Sequence, residues 1–372
     1  MLRAFRLLLT IGLLSFLALP GAAAAEKWEI QYFYDVMDRE FTILDLKFPS
    51  AQRGIASGFE TDGNKVRPKC VVTSDGGENW ANVKIKESGL SLYFLDETIG
   101  WMVTEKGLWK TVESGRSWRK ISKKKGMIRV HFTDELRGFA VGREKSIWET
   151  GDGGKTWTPL PVVEEIPTTE EYTNFTWLEF ANPKYALIAG FSERPRRSRS
   201  GLPDWMEPKR TSERRQWPAT SIIVQTNDGG GTWKHSVTSM FGHISRFRLR
   251  PDGTGLSLVR FQHAFDWPSE VYRVDVTNRV TERTYRHKNR SITDMILAGS
   301  SAYLAGFVPA GTLEQSPIPG RLVILGSTDL ENWEEMEVDY RAYAHRAVLA
   351  ASGEGNVWVA TDTGMILRLQ RN

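Results

Sequence analysis

The sequence of 372 residues has a single cysteine, Cys70, which excludes an intrachain disulfide and any cysteine-based zinc or iron–sulfur site. It also lacks a strong charge of either sign, because 49 Lys and Arg stand against 45 Asp and Glu and leave a net charge of +4. Such a balance is not typical of nucleic-acid-binding proteins, so no nucleic-acid partner is expected. No phosphate-binding glycine motif lies between a strand and a helix, and we predict no cofactor and no bound metal.

The long apolar run of the sequence lies near its amino terminus, at Leu7–Leu19, after two arginines. Four alanines, Ala22–Ala25, follow a Pro-Gly helix breaker and offer a small-residue cleavage site. We therefore predict that residues 1–25 are a signal peptide and that the mature chain, 26–372, is periplasmic or secreted. The alternative is an uncleaved anchor, because the apolar stretch approaches the length of a membrane span.

Tryptophan is abundant, with 14 residues, and several of them end a recurring motif. The motif reads Ser/Thr-x-Asp-x-Gly-x-Ser/Thr/Asn-Trp in stretches 73–80, 111–118, 150–157 and 226–233, with Glu113 in place of Asp in the second copy, and a shorter copy occupies 327–333. The first three tryptophans of the motif are 38 and 39 residues apart, and this spacing predicts a repeat architecture. The residues that carry the motif are Asp75, Gly77, Trp80, Glu113, Gly115, Trp118, Asp152, Gly154, Trp157, Asp228, Gly230, Trp233, Asp329 and Trp333.

Each copy of the motif lies between two short runs of strand-forming residues. An Asp in a tight hairpin accepts hydrogen bonds from the N–H groups of its own turn, and Gly supplies the positive φ that the turn needs. The Trp then opens the next strand and buries a large apolar surface. We therefore predict a structural role for the motif. The alternative, a set of carboxylates gathered for catalysis or calcium, is disfavoured because turns placed once per sheet are dispersed around the molecule.

The motif resembles the Asp-box, or BNR repeat, of sialidase-like β-propellers, whose blades are four-stranded antiparallel sheets. A second pattern, Phe-x-Asp-x-x-x-Gly-Trp/Phe, occupies 94–101 and 132–139. Together the two patterns resemble the family of photosystem II stability and assembly factors, which are exported propellers. The resemblance implies an all-β fold, a single seven-bladed propeller over the mature chain, and a role in assembly through protein binding.

Seven blades fit the mature sequence, and six or eight are the alternatives. The predicted blades begin at Phe41, Leu90, Met127, Phe175, Ile244, Ile292 and Ala347. Blade five has lost its Asp-box, so its strands are inferred from the alternation of apolar and polar residues in 271–285. Blade seven is one strand short at the carboxyl end, and we predict that Trp28–Phe33 supplies the missing strand. This closure removes two open sheet edges.

The resemblance implies that the crossings between blades, together with the loops from second to third strands, form the ligand face. The largest such loop, 192–220, carries eight Lys and Arg against four Asp and Glu, and it contains two Trp. Arg and Trp are frequent anchors of interfaces, so we predict that the protein binds an acidic segment of a membrane-complex protein. We also predict that the protein is a monomer. The alternatives are a solvated loop and an anionic glycan or lipid surface. The candidate partner-binding residues are Arg194, Arg196, Arg197, Arg199, Trp205, Arg210, Arg214 and Arg215 in the loop and Lys123, Lys124, Lys125, Arg286 and Arg290 in the crossings, joined by Arg341, His345 and Arg346 in the last crossing.

Enzymatic activity is the less favoured interpretation. Resemblance to sialidases would imply a Phe/Tyr-Arg-Ile-Pro signature in the first blade, and the nearest string here lies at 247–251, in blade five. The acid and base of a glycoside hydrolase cannot be located from one sequence; Asp204, Glu207 and Asp266 are candidates only by their expected place in ligand-face loops. We therefore favour a non-enzymatic scaffold or assembly factor without catalytic residues. A glycan-binding or glycan-hydrolysing propeller is the alternative.

Overall fold

The computed structural model of the chain describes residues 26–193, 218–261, 267–309, 319–353 and 355–371. Its strands form seven sheets, each built on four antiparallel strands, and two of the sheets gain a short fifth strand. The first strands of neighbouring sheets contact one another in sequence, and the first strand of the last sheet returns to that of the first. The fold is therefore a seven-bladed β-propeller, as predicted, and counts of six and eight are wrong.

The four strands of each of the first four blades follow one another in sequence order. Strand β1 (Lys27–Phe33) belongs to the last blade, and blade one consists of β2 (Arg39–Lys47), β3 (Gly54–Asp62), β4 (Lys65–Thr73) and β5 (Ala81–Val83). Blade two consists of β6 (Ser91–Phe94), β7 (Gly100–Thr104), β8 (Gly107–Thr111) and β9 (Arg119–Ser122). Blade three consists of β10 (Met127–Phe132), β11 (Gly138–Gly142), β12 (Ser146–Thr150) and β13 (Thr158–Pro159). Blade four consists of β14 (Thr173–Phe180), β15 (Ala186–Ser192), β16 (Ala219–Thr226) and β17 (Lys234–Met240).

Blades five to seven include the two with incomplete sequence patterns, blade five without an Asp-box and blade seven, which is one strand short at the carboxyl end. Blade five consists of β18 (His243–Leu249), β19 (Thr254–Arg260), β20 (Ser269–Asp275) and β21 (Val280–Arg286). Blade six consists of β22 (Ser291–Ala298), β23 (Ser301–Val308), β24 (Gly320–Ser327) and β25 (Glu334–Glu335). Two short strands follow, β26 (Glu337–Val338) and β27 (Tyr343–Ala344), before blade seven with β28 (Ala347–Ser352), β29 (Asn356–Thr361) and β30 (Met365–Gln370). The helix α1 (Val162–Glu165) and a 3₁₀ turn (Glu170–Tyr172) lie between blades three and four.

Blade seven joins the two ends of the described chain. Strand β1 pairs antiparallel with β30, so that Trp28 lies opposite Leu369. Strand β26 then pairs in parallel with the outer side of β1, at the register of Lys27 with Glu337. The predicted closing strand is therefore confirmed, and its outer edge is covered in part. Within the described residues, no helix combines the length and the hydrophobicity that a membrane span requires.

Residues of the second sequence pattern, Phe-x-Asp-x-x-x-Gly-Trp/Phe, pack one blade against the next. In blade three, the ring of Phe132 lies so close to Gly138 that a Cβ at that position would stand 2.6 Å from it. Trp101 of blade two stacks on Phe132 with ring centroids 3.7 Å apart. The indole Nε1 of Trp101 donates to the carbonyl of Gly153, 3.1 Å away in the Asp-box turn of blade three. The Trp of the pattern therefore buries its ring between blades and holds the neighbouring turn.

The Asp-box turns are closed by their own residues. In blade three, Asp152 accepts hydrogen bonds from the Thr150 hydroxyl at 2.8 Å and from the backbone N–H of Thr156 at 2.9 Å. Gly154 has φ +91°, and its carbonyl accepts from the indole Nε1 of Trp157 at 2.9 Å. Equivalent carboxylate bonds recur at Asp75, Asp228 and Asp329. A purely structural role for these residues stays a prediction.

Candidate functional site

The first strands of the blades surround a central channel with a cavity at each end. The cavity on the side of the blade crossings has a volume of about 860 Å³ and is lined by residues such as Lys125 and Arg346. The cavity on the opposite side has a volume of about 390 Å³ and is walled by aromatic and aliphatic residues such as Phe94 and Phe180. The first of these lies on the expected ligand face, and we call it the basic mouth.

Irregular strand pairing directs polar side chains into this channel. Five of the seven first strands shift register at corresponding points, between Ile43 and Asp45 in β2 and at equivalent positions in β10, β14, β18 and β22. A β-bulge of this kind inserts one residue and redirects the next side chain. The inserted residues line the basic mouth: Leu44, Ile128, Thr176, Ser245 and Thr293.

The residues that follow the bulges form a compact layer of charge, which we call the channel waist. Its members are Asp45, Lys47, Arg129, Trp177, Glu179, Arg246, Arg248 and Asp294. Most of its charges are paired: Lys47 Nζ lies 3.1 Å from Asp45, and Arg248 lies 3.0 Å from Glu179. Arg246 Nε lies 3.3 Å from Asp294, whose side chain is 3% exposed.

Two aspartates of the waist also hold adjacent blades together. Asp45 of blade one accepts a hydrogen bond at 2.8 Å from the backbone N–H of Leu92 in blade two. Asp294 of blade six accepts one at 2.9 Å from Leu349 in blade seven. Burial by itself would raise the pKa of Asp45, but Lys47, nearby Arg charge and the Leu92 N–H bring it below its ordinary value. Asp45 therefore stays ionised, and both aspartates support the ring through hydrogen bonds to the next blade.

Trp177 lies among three guanidinium groups in the waist. The guanidinium carbon of Arg129 is 4.0 Å from the centroid of the Trp177 ring, and those of Arg246 and Arg248 are 4.5 and 4.6 Å away. A cation above an aromatic face is attracted by the ring quadrupole, and more strongly where water is excluded. Burial lowers the pKa of Arg246 to about 9 despite the opposing effect of Asp294.

Positive charge also dominates the rim of the basic mouth. Lys125, Arg143, Arg260 and Arg346 line it, opposed by Glu105 and Glu144. Among the described residues, neither Arg143 nor Arg260 forms an ion pair. Arg346 donates to the carbonyl of Leu44 at 2.9 Å, which fixes it at the entrance.

A histidine of the same rim contributes no positive charge near neutral pH. Burial, with the charge of Arg260 nearby, lowers the pKa of His243 to about 4. Its Nδ1 atom is buried and has no hydrogen-bond partner within the described part of the chain. The basicity of the mouth therefore comes from its Arg and Lys residues.

The structure places only part of the predicted partner-binding set at this mouth. Lys125 lines it, whereas Lys124 lies 4.8 Å above the ring of Trp148 and Lys123 is exposed nearby. Arg286 lies over the ring of Trp267 and 3.3 Å from Glu270. The eight candidates between Arg194 and Arg215 lie outside the described residues, as do Asp204, Glu207 and Asp266.

Arg290 has a carboxylate partner as well, because its guanidinium pairs with Glu335. Sequence reasoning missed Arg129, Arg143, Arg246 and Arg260, which together supply most of the charge of the mouth and its floor. One signal was present: Arg246 and Arg248 alternate in β18, and alternate residues of a strand share a face.

The fold and the site define a class, a seven-bladed β-propeller whose channel opens into a basic mouth. No family model matches the chain, and no curated protein matches it either. Among solved structures, the chain is similar to YCF48 bound to D1 peptide, with 16% identity and a TM-score of 0.57 over 92% of this chain and 100% of that one.

YCF48 from Cyanidioschyzon merolae is similar at 13% identity and a TM-score of 0.58, over 92% of this chain and 98% of that one. An ancestral GH74 enzyme is similar at 11% identity and a TM-score of 0.55, with 91% of this chain matching 46% of the enzyme. At these identities the likeness establishes a common fold and leaves function to the site.

Proposed function

We propose that this chain is an exported, non-enzymatic propeller that binds an acidic segment of a partner protein at its basic mouth, as a scaffold or assembly factor for a membrane or envelope complex. The observation that carries the proposal is the charge of the mouth. Four rim cations and the waist arginines Arg129 and Arg246 line one cavity, against the carboxylates of Glu105 and Glu144.

The chemistry of these groups suits a carboxylate-rich ligand. A guanidinium presents parallel N–H donors that match a carboxylate, and such charge-assisted pairs are stronger than neutral hydrogen bonds. A concave surface of one sign also concentrates ligands of the opposite sign and speeds their association. Arg143 and Arg260 stand at the rim without ion pairs among the described residues, so a ligand need not displace an internal partner.

A protein segment is the favoured ligand because a propeller of the same fold holds one. The solved YCF48 structure contains a D1 peptide, and the present chain covers all of that protein's length. This supports peptide binding as a use of the architecture. The size of the mouth, about 860 Å³, is sufficient for several side chains of an extended segment.

The direct test is binding of a fluorescent peptide of alternating Glu and Gly, compared with the same peptide carrying Gln in place of Glu. In low salt, the purified protein should bind the acidic peptide and not the neutral one. Replacing Arg143 and Arg260 together by Gln should weaken binding by about tenfold or more and flatten its salt dependence. The matched control replaces Arg116 and Arg119, two exposed arginines on the outer side of blade two, by Gln.

Equal losses in the mouth variant and its control would contradict the proposal, because binding would then follow net charge alone. A form that joins Phe191 directly to Ser221 tests the basic loop as the rival binding element. Loss of binding in that form, with full binding in the mouth variant, would place the site on the loop. Binding of a neutral oligosaccharide, unchanged in all variants, would favour the glycan alternative.

Export is a separate part of the proposal and rests on the apolar leader before Glu26. If the leader is cleaved after Ala25, intact-mass measurement on protein recovered from the native host should give a chain that starts at Glu26. A mass that includes Met1, in a membrane fraction, would show an uncleaved anchor instead. The binding site on the propeller would be the same in either case.

A further inference from the structure

Arg129 stands apart from the other cations of the waist. Among the described residues, Lys47, Arg246 and Arg248 each have a carboxylate within 4.0 Å, and Arg129 has none. Its Nε atom is buried and donates to no acceptor there. Burial lowers the pKa of Arg129, although a guanidinium still keeps its proton at neutral pH.

The three carboxylates of the waist cannot easily satisfy this arginine, because each already has partners. Asp45 accepts from the backbone of Leu92 and pairs with Lys47. Asp294 accepts from Leu349 and pairs with Arg246. The side chain of Arg129 is half-buried, and leaving its guanidinium unpaired there is unfavourable. The four cations of the waist therefore exceed its three carboxylates by one positive charge.

Two further donors beside Arg129 also lack acceptors. Trp177, whose side chain lies under the Arg129 guanidinium, is 2% exposed, and its Nε1 atom has no hydrogen-bond partner among the described residues. The hydroxyl of Thr176, the inserted residue of the same bulge, is buried and without a partner there. All three residues line the cavity of the basic mouth. Unsatisfied buried polar groups are rare in folded proteins, and three in one cavity wall indicate a missing acceptor.

We propose that Arg129, Thr176 and Trp177 form a site for a single carboxylate group, which enters through the basic mouth. One uncompensated cation calls for a monoanion, and the planar guanidinium matches the planar carboxylate. The carboxylate belongs either to a small free acid or to the bound segment of a partner. Only the second source rests on the proposed function, because the site itself is complete in this chain.

The test uses acetate as the probe. The thermal midpoint of the wild-type chain is measured in sodium acetate and in sodium chloride at the same ionic strength and pH, and titration gives an apparent affinity. Acetate should raise the midpoint relative to chloride. Replacing Arg129 by Met should abolish this difference or weaken acetate affinity by about tenfold or more, because a charge-assisted hydrogen bond is lost.

A milder variant keeps the proposal falsifiable if Arg129→Met does not fold. Trp177→Phe retains the ring under the guanidinium and removes only the Nε1 donor, so acetate affinity should fall by a few-fold. The control variant Arg116→Gln, in an exposed turn of blade two away from the mouth, should respond to acetate like the wild type. An acetate effect of equal size in wild type, Arg129→Met and Trp177→Phe would overturn the proposal, as would the absence of any effect in the wild type.

The two proposals fail separately in this design. If the protein binds acetate but not the acidic peptide, the carboxylate site is supported and the proposed function is contradicted. Where both bind, acetate should compete with the peptide in the wild type and not in Arg129→Met. Competition that persists undiminished in the variant would show that the peptide carboxylates and the acetate meet at the rim, against the waist site.

Discussion

Asp152 lies in the Asp-box turn of blade three and Asp294 lies in the channel waist, yet both carboxylates accept hydrogen bonds from backbone N–H groups. The donors to Asp152 all come from within four residues of it along the chain. Asp294 accepts from Leu349, which is 55 residues away in the next blade, and pairs with Arg246 of the preceding blade. The turn is therefore a local unit, whereas the waist is shared by several blades.

The Asp-box turn and the channel waist also differ in their exposure to water. Hydrogen bonds from Thr156 and Thr150 lower the pKa of Asp152 to about 2 while the turn stays near the surface. In the waist, burial is the largest influence on the pKa of Arg246 and opposes its charged form. An interaction lost in a turn can be replaced by water, but one lost in the waist leaves a charge with no solvent to receive it.

The largest expected loss of stability is that of a substitution at Asp294 in the channel waist. Replacing Asp294 by Ala removes the partner of Arg246 and leaves the Leu349 N–H without its acceptor. Removing one member of a buried ion pair costs about 3–5 kcal/mol, because the other charge stays buried and alone. Urea unfolding at neutral pH should show a loss of this size in the free energy of unfolding.

The double variant Asp294→Ala with Arg246→Met separates charge from packing. Removal of the stranded guanidinium should restore part of the lost stability, since an apolar pair replaces an uncompensated cation. A single variant as stable as the wild type would show that the waist tolerates unpaired charge. It would then also remove the energetic basis for the carboxylate site at Arg129.

The fold could be predicted because its signals are local. The Asp-box places Asp, Gly and Trp within eight residues, and alternation alone identified blade five, where the box is missing. The closing strand Trp28–Phe33 was identified because the last blade lacked a strand, and the structure pairs it with β30. Each of these inferences needed only neighbouring residues and the count of strands.

The site could not be predicted in the same way because it is assembled from distant strands. Asp45 and Asp294 lie in one layer although 249 positions separate them, and the bulges that turn them inward leave no mark in the sequence. Arg286 and Arg290, two of the predicted partner-binding residues, show the same limit of sequence reasoning, because both have carboxylate partners in the structure. Glu270 lies opposite Arg286 on the adjacent strand β20, and Glu335 lies 45 positions from Arg290 along the chain; neither pairing was visible from a charge count.

The smaller expected effect concerns the Asp-box of blade three. Replacing Asp152 by Ala removes the acceptor of the Thr156 N–H and of the Thr150 and Thr156 hydroxyls. We expect a loss of about 1–2 kcal/mol in the free energy of unfolding, because the turn is open enough for water to replace part of what is lost. Peptide binding at the basic mouth should not change, and a stable variant that loses binding would give the box a functional role.

The pH dependence of this loss distinguishes a charged acceptor from a simple packing defect. The pKa of Asp152 lies at about 2 in the folded chain, below its ordinary value of 3.8, so its carboxylate stabilises the fold fully above pH 4 or so. That contribution disappears as the pH falls from about 4 towards 2. The difference in unfolding free energy between wild type and Asp152→Ala should therefore be constant near neutral pH and shrink in acid. A difference that stays constant down to pH 2 would show that the aspartate acts through its shape and not through its charge.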